Sequence, residues 1–453
     1  MSTWRRLLPI GRGAVDRPFQ YGTAPDLERR IARLERSQWR SPGEIERRRV
    51  RLRTKAVLRA WDRIPFYRKL WSGAGLRRRD LADPESFASL PPVTKEDLQR
   101  SLSEMTDPRA DLGGADLVTT GGTTGQPVGL WQDREVLWWE EAFVWRHWRW
   151  FGVAFGDRAA VCRGIRPPNG GAIGLDPRLG LVLSGFDLSW RSAAGYLEAL
   201  ARHRPAFLRG YPSTLLLLAR RALADGVAFE GIKAVFTSSE LLVPSARETI
   251  GRAFRAPVSD LYGHAERAVA AGECPAGRLH VFPEYGFLEI AAGGAGRQGE
   301  ILATSFRNRA TVLVRYRTGD AGRLTGEECP CGRAMPVLAI EQGRAQDFLV
   351  TPEGKLVSAT AINFHSRVFD GIERFRFVQD DPRSVVFEYA PLPGAPPPDE
   401  SAIESALRAK LGTSLALRFE RRDAIPPASS GKHRFIISSL DPDRLGEEEG
   451  DRS

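Results

Sequence analysis

The chain is short of the residues that mark secreted or membrane proteins. Its 453 residues hold only four cysteines, six histidines and three methionines, too few cysteines for a disulfide framework in a chain of this size. Those cysteines are therefore expected to be core residues, metal ligands or nucleophiles. No apolar run approaches the roughly 20 residues of a membrane span, and residues 1–17 lack a signal-peptide core followed by a small-residue cleavage site. A cytoplasmic protein with no membrane span is the expectation. No internal repeat is evident and no long tract carries one sign of charge. The 66 basic and 56 acidic residues give a formal charge of +10 that is spread along the chain. That balance points to solubility or attraction for anionic substrates, with no nucleic-acid partner. What the chain does have is length, enough for more than one domain, since single cores seldom grow past roughly 250–300 residues.

Residues 1–110 read as helical. Stretches 26–40 and 42–62 carry leucine and isoleucine at helical spacing among arginines, and the basic face of 44–55 reads as a solvated helix surface. Thr94 followed by Glu96 and Asp97 has the form of a helix start. Segment 133–151 places Trp138, Trp139, Phe143, Trp145, Trp148, Trp150 and Phe151 in one expected helix. Rings on more than one face mean either a helix buried on several sides or one whose rings partly line an apolar pocket. His147, within it, reads as structural.

From 158 to 290, short apolar runs at 159–162, 180–184, 206–208 and 234–237 alternate with helical patterns at 192–203, 213–224 and 244–254. Alternation of this kind predicts an α/β layer architecture. Runs 287–290, 299–304 and 312–315 are expected strands of a more antiparallel region. Beyond Gly343 the composition shifts to that of a small α+β domain, with strands at 375–379, 384–389, 415–419 and 435–437 and a helix capped by Asp399. The expected organisation is a helical N-terminal region of the large domain over 1–110, its core over 111–342, and a smaller C-terminal domain over 343–453.

Segment 119–127 reads Thr-Thr-Gly-Gly-Thr-Thr-Gly-Gln-Pro. Glycine lets backbone N–H groups turn toward an anion with no Cβ in the way, and threonine hydroxyls add short donors. Alone, this composition suits a surface turn as well as a phosphate cradle. Two expected strand ends add polar groups where open α/β sheets place ligands: Thr237-Ser238-Ser239-Glu240 and Tyr262-Gly263-His264-Ala265-Glu266. Further along come Tyr316-Arg317-Thr318-Gly319-Asp320, Gly343-Arg344-Ala345-Gln346-Asp347 and the loop lysine of Gly431-Lys432.

In this order the motifs resemble the adenylate-forming superfamily of acyl-CoA synthetases and adenylation domains, and within it the phenylacetate-CoA ligase branch with its capsule-biosynthesis relatives. Pro65-Phe66-Tyr67, the Leu90 to Lys95 run, Arg209-Gly210-Tyr211-Pro212-Ser213 and Cys331-Gly332-Arg333 extend the likeness, which covers residues 60–437. The resemblance implies a layered α/β large domain followed by a mobile small domain. It implies that Thr119, Thr120, Gly121, Gly122, Thr123, Thr124 and Gly125 hold the β- and γ-phosphates of ATP. Ser238, Ser239, Glu240, Tyr262, Gly263 and His264 would border adenine, and Asp320 would accept from the ribose hydroxyls. Glu266 would hold Mg²⁺, Arg344 would approach the nucleotide, and Lys432 would be the adenylation lysine.

The implied activity is ATP-dependent conversion of a carboxylic acid into an acyl-adenylate, then transfer to a thiol, with CoA the expected acceptor. Transfer to an amine, a hydroxyl or a carrier protein is the alternative, and a nucleotide-binding scaffold without catalysis is a third. Trp145, Trp148, Arg209, Tyr211, Ser238 and His264 are the candidate acid-pocket residues, and their aromatic share leans toward an aryl or apolar acid. The chain departs from the family's pattern at Ala265, where a hydroxyl residue is usual, at Gln126 after the glycine loop, and at the hinge residue Gln346.

The cysteines form one further set. Cys274 and His280 fall in one turn-like segment, and Cys329 and Cys331 in another. Three thiolates and an imidazole make a tetrahedral Zn²⁺ set that would clamp the two loops, against the alternative that they are small buried hydrophobes.

Overall fold

The computed structural model describes residues 24–120, 128–188, 191–240, 242, 244–291, 297–342, 348–358, 362, 367–369, 371–391, 395–425 and 435–440. Gly121, Gly122, Thr123, Thr124, Gly125, Gln126, Arg344, Gln346, Asp347, Gly431 and Lys432 lie outside the described residues, and the side chains of Thr119 and Thr120 with them.

Among the described residues the chain opens with helices α1 (Ala24–Ser37), α2 (Pro42–Arg63), α3 (Pro65–Gly73) and α4 (Lys95–Met105). Strands β1 (Asp116–Thr120) and β2 (Val128–Gln132) follow, then α5 (Arg134–Arg149). The alternating segment contains β3 (Ala159–Arg163), β4 (Ile173–Asp176), β5 (Gly180–Ser184), α6 (Ala193–His203), β6 (Phe207–Gly210), α7 (Pro212–Ala224), β7 (Ala234–Ser238), α8 (Pro244–Phe254) and β8 (Val258–Gly263). Next come β9 (Ala270–Glu273), β10 (Leu279–Val281), β11 (Gly286–Ile290), β12 (Gly299–Ser305), β13 (Tyr316–Leu324) and β14 (Val337–Gln342). The C-terminal part holds β15 (Phe348–Val350), β16 (Leu356–Ser358), β17 (Ile372–Asp381), β18 (Ser384–Pro391), α9 (Glu400–Leu411), β19 (Ala416–Arg421) and β20 (Ile436–Ser438). The fold is α/β, with a smaller α+β domain at the C-terminal side. No helix among the described residues is long and apolar enough to cross a membrane.

Helix starts follow local chemistry. Thr94 accepts from the Asp97 N–H while the Asp97 carboxylate accepts from the Thr94 N–H, and Ser41 with Glu44 repeats the device on α2. Each box satisfies backbone donors that a first turn leaves unpaired. On α2, Arg47, Arg51 and Lys55 are exposed as the charge pattern predicts. The arginines of its inner face instead lie over rings: Arg49 sits 4.7 Å from the Phe287 centroid and Arg53 4.5 Å from that of Phe87.

By contacts the chain divides into two compact units. One takes the described parts of Met1–Thr119, Val128–Phe155 and Ser259–Gly343, and the other those of Thr120–Pro127, Gly156–Val258 and Arg344–Ser453. In the first unit, strands run in the order β11-β12-β13-β14-β10-β9-β8, paired antiparallel. Their core, with Tyr67, Trp71, Phe287, Leu313 and Tyr316 fully or almost fully buried, is shared with α2, α3 and α4.

The strand expected at 312–315 is not one; β13 begins only at Tyr316. Arg315 has a left-handed φ of 50°, and Tyr67 takes the ladder's place. Its hydroxyl donates to the Val312 carbonyl at 3.1 Å and accepts from the Val314 N–H at 2.8 Å. Tyr67→Phe would leave both buried backbone groups unpaired. It is expected to cost about 1–3 kcal/mol, read as a lowered denaturant midpoint at unchanged m-value.

In the second unit, β7-β6-β3-β5 form a parallel run with β4 antiparallel at its edge. Helices α6, α7 and α8 bury Tyr196, Leu200, Leu215, Leu218 and Phe254 in its core. The C-terminal part of this unit has its own sheet, ordered β19-β18-β17-β20, and its own aromatic core around Phe375, Phe377 and Phe387. Gln379, fully buried, donates to the Val350 carbonyl and accepts from its N–H, tying β15 to β17.

Candidate active site and metal centre

The nucleotide residues implied for the first unit converge at the end of β8 and the start of β13. Tyr262 donates to the Asp320 carboxylate at 3.0 Å, and Tyr316 donates to Glu266 Oε1 at 3.0 Å. His264 Nδ1 stands 3.5 Å from Glu266 Oε2, both side chains almost covered. Burial alone would raise the Glu266 carboxyl. His264, by hydrogen bond and charge, and Lys95 outweigh it and hold Glu266 at about 2. Burial likewise acts against a charged His264, but Glu266, Asp320 and Glu140 raise its pKa. An ionised carboxylate with a paired imidazole follows from this arrangement.

The turn bearing Glu266 is held from behind. Gln132 donates to the Ala265 carbonyl at 2.6 Å and accepts from Arg267, whose guanidinium also lies 3.7 Å from Glu140. Tyr285 donates to the same Glu140. Arg267 has φ of 50° and its N–H closes the turn onto the His264 carbonyl at 3.0 Å. On the facing strand, Gly319 has φ of 75°, and the Asp320 N–H donates to Thr318 Oγ1 at 3.1 Å.

Sequence reasoning missed Gln132, Glu140, Arg267 and the role of the Tyr316 hydroxyl. Tyr316 and Lys95 lie inside recognised motifs and carried a signal. Gln132 carried none, since only the fold brings β2 beside the turn.

In the second unit, the carboxyl ends of β3, β6 and β7 present Arg163, Tyr211, Ser238 and Ser239, where parallel sheets carry ligand groups. Arg209 is nine-tenths buried within β6, and Glu240 is buried beyond Ser239.

Two expected pocket residues are placed differently. Trp145 and Trp148 pack edge-to-face on one another, Trp145 packs on Phe155, and its indole N–H donates to Glu141 at 2.9 Å. They are core residues, because α5 is covered along most of its circumference. His147 is structural, fully buried beside Ser259 Oγ and the Glu273 carbonyl, and burial drives its pKa down to about 3.

The cysteine set closes in space. The ligand atoms of Cys274, His280, Cys329 and Cys331 all lie within 4.8 Å of one another. Cys274 and Cys329 sulfurs stand 3.6 Å apart, and Cys331 Sγ is 3.3 Å from His280 Nε2. His280 Nδ1 lies 3.1 Å from the Met335 carbonyl, which can only accept; the proton therefore sits on Nδ1 and the Nε2 lone pair faces the sulfurs. Burial pushes Cys329 up to about 12. It acts on Cys331 too, but hydrogen bonds from Arg333 and the other cysteines hold that thiol below its ordinary value.

Residues 349–439 match the family model of the CapK C-terminal domain. Protein CapK of Staphylococcus aureus is 25% identical over 377 residues, 78% of this chain and 80% of that protein. The phenylacetate-coenzyme A ligase of Pseudomonas putida is 27% identical, over 64% of this chain and 68% of that one. A crystal structure of 2-hydroxyisobutyryl-CoA ligase, with 2-HIB-AMP and CoA, aligns with a TM-score of 0.58 at 20% identity, covering 92% of this chain and 94% of that chain.

The fold is that of the adenylate-forming ligases. Among proteins of that fold, the chain is similar to protein CapK and to the phenylacetate-coenzyme A ligases.

Proposed function

We propose that this chain is an ATP-dependent acid ligase that forms an acyl-adenylate and passes the acyl group to a thiol, CoA being the expected acceptor. The observation that carries the reading is the pairing of Tyr262 with Asp320 and of Tyr316 and His264 with Glu266, on neighbouring motifs of the family. Tyr262 offers an aromatic face for adenine, and Asp320 is an acceptor for ribose hydroxyls. Ser238, Ser239 and Glu240 belong to the adenine border in this reading. Glu266 suits Mg²⁺ because it is a hard oxygen donor that stays ionised; the ion would neutralise phosphate charge.

An oxygen of the substrate carboxylate attacks the α-phosphorus and the bond to pyrophosphate breaks. Lys432 would stabilise the charge on the phosphoryl oxygens and the leaving group, Arg344 would steady the nucleotide, and residues 119–125 would clamp the pyrophosphate. The thiol sulfur then attacks the acyl carbon and AMP departs. We take 343–453 to be the domain that moves between these steps, and the cytoplasm, which supplies ATP and CoA, to be the location.

Pyrophosphate release and acyl-AMP formation over a panel of acids test the proposal. ATP binding with no acid turned over would sink it and favour a non-catalytic nucleotide-binding scaffold. The likeness to CapK favours one second reading, adenylation followed by transfer to an amine, a hydroxyl or a carrier protein. Mass spectrometry of products formed with each acceptor separates the two.

The second part of the proposal is that Cys274, His280, Cys329 and Cys331 hold a structural Zn²⁺ that pins the β9–β10 turn to the loop between β13 and β14. Protein purified without added zinc is expected to carry about one equivalent by elemental analysis. Cys329→Ser is expected to lose the metal and melt at a lower temperature. A metal-free wild type overturns the assignment.

A further inference from the structure

We propose that the acid this chain activates carries a second anionic group, a carboxylate or comparable oxyanion remote from the reacting carboxyl, and that Arg163 binds it. The inference rests on the acid-ligase reading and narrows its substrate class. Strand register places the residues. Cys162 of β3 pairs with Gly210 of β6, which pairs with Thr237 of β7, so Arg163, Tyr211 and Ser238 form the next row at the carboxyl ends. On the other side, Arg163 pairs with Ser184 of β5. This crest of neighbouring parallel strands is where open α/β sheets receive ligands.

The Arg163 guanidinium lies 5.0 Å from the Tyr211 ring centroid. Its polar contact is Nη2 to Ser239 Oγ at 3.4 Å, beyond the usual N–H···O range. It has no carboxylate partner among the described residues. Arg166, three residues on, does, at 2.8 Å to Asp187. An arginine over a ring, with one long contact to a hydroxyl and no carboxylate partner among the described residues, retains N–H donors suited to an oxyanion.

The walls agree. A Cβ on Gly164 would come 3.1 Å from the Phe186 ring, so the backbone beside Arg163 stays bare where Phe186 and Tyr211 close in. Ser239 holds φ of 74°, a left-handed conformation that a serine rarely adopts, and its hydroxyl is the one beside Arg163. That conformation goes with the adenine border assigned to Ser239 above, and the anion site rests on Arg163 and its neighbours. An apolar acid would offer this half-buried cation no anionic partner. The aromatic argument for such an acid also weakens once Trp145 and Trp148 are core.

The test compares matched acids that differ by one remote charge, hexanoate with adipate and phenylacetate with 4-carboxyphenylacetate, in pyrophosphate release by the full chain with ATP and Mg²⁺. The dianion is expected to be preferred roughly tenfold or more in kcat/KM, mostly through KM. That ratio should collapse toward unity in Arg163→Leu and return in part in Arg163→Lys, with circular dichroism showing both variants folded. Preference for the monoanion, or a ratio that Arg163→Leu leaves in place, overturns the inference while the ligase reading stands. Binding is read separately from turnover. Adipate should raise the melting temperature of the wild type more than hexanoate does, and not that of Arg163→Leu. Equal shifts overturn the inference whatever the turnover assay gives, and absence of turnover with every acid counts against the ligase reading alone.

Discussion

Glu266→Gln is expected to slow acyl-adenylate formation by roughly 10²–10³-fold, the range for loss of one preorganised electrostatic group at a reacting centre. The amide keeps the shape and an oxygen for the Tyr316 hydroxyl, but it removes the charge that His264 and Lys95 hold in place. Because the turn is anchored through Gln132, Arg267 and Glu140 rather than through Glu266, the fold should survive. Single-turnover formation of acyl-AMP at saturating ATP, with the melting temperature as control, gives the comparison. A rate within a few-fold of wild type would remove Glu266 from the reaction.

Lys432→Ala carries the other large effect. Adenylation should fall by roughly 10²–10³-fold, since the ammonium proposed to stabilise the charge developing on the phosphoryl oxygens is lost. Thiol transfer from a supplied acyl-adenylate should be much less affected, because the pyrophosphate leaving group is already gone by then. Pyrophosphate exchange and thioester formation from synthetic acyl-AMP measure the two halves. Equal losses in both would make Lys432 a structural residue instead.

The motifs that carry these predictions were legible because each needs specific residue types over a short stretch. A carboxylate after Tyr-Gly-His, or an aspartate after Thr-Gly, is a local pattern that one reading of the chain can find. Strand and helix alternation over 158–290 was legible for the same reason, and observed strands β3, β5, β6 and β7 lie within a residue or two of the expected runs. Segment 312–315 was not legible. Its apolar run has the composition of a strand, but Tyr67, distant in sequence, takes up the backbone groups a ladder would use. Trp145 and Trp148 show the same limit, because aromatic composition does not say which rings meet other rings and which meet a ligand.

By itself, then, the sequence determined the α/β class, the order of the family-like motifs and the cysteine–histidine set, all of which depend on residue type and local spacing. Tertiary structure alone decided which groups meet. It brought four sulfur and nitrogen atoms that could hold a metal, from two separated loops, within 4.8 Å of one another, laid Gln132 against the Glu266 turn, and aligned Arg163 with Tyr211 across parallel strands. These meetings depend on strand pairing and burial between segments far apart in the chain, and no local pattern of residues encodes them.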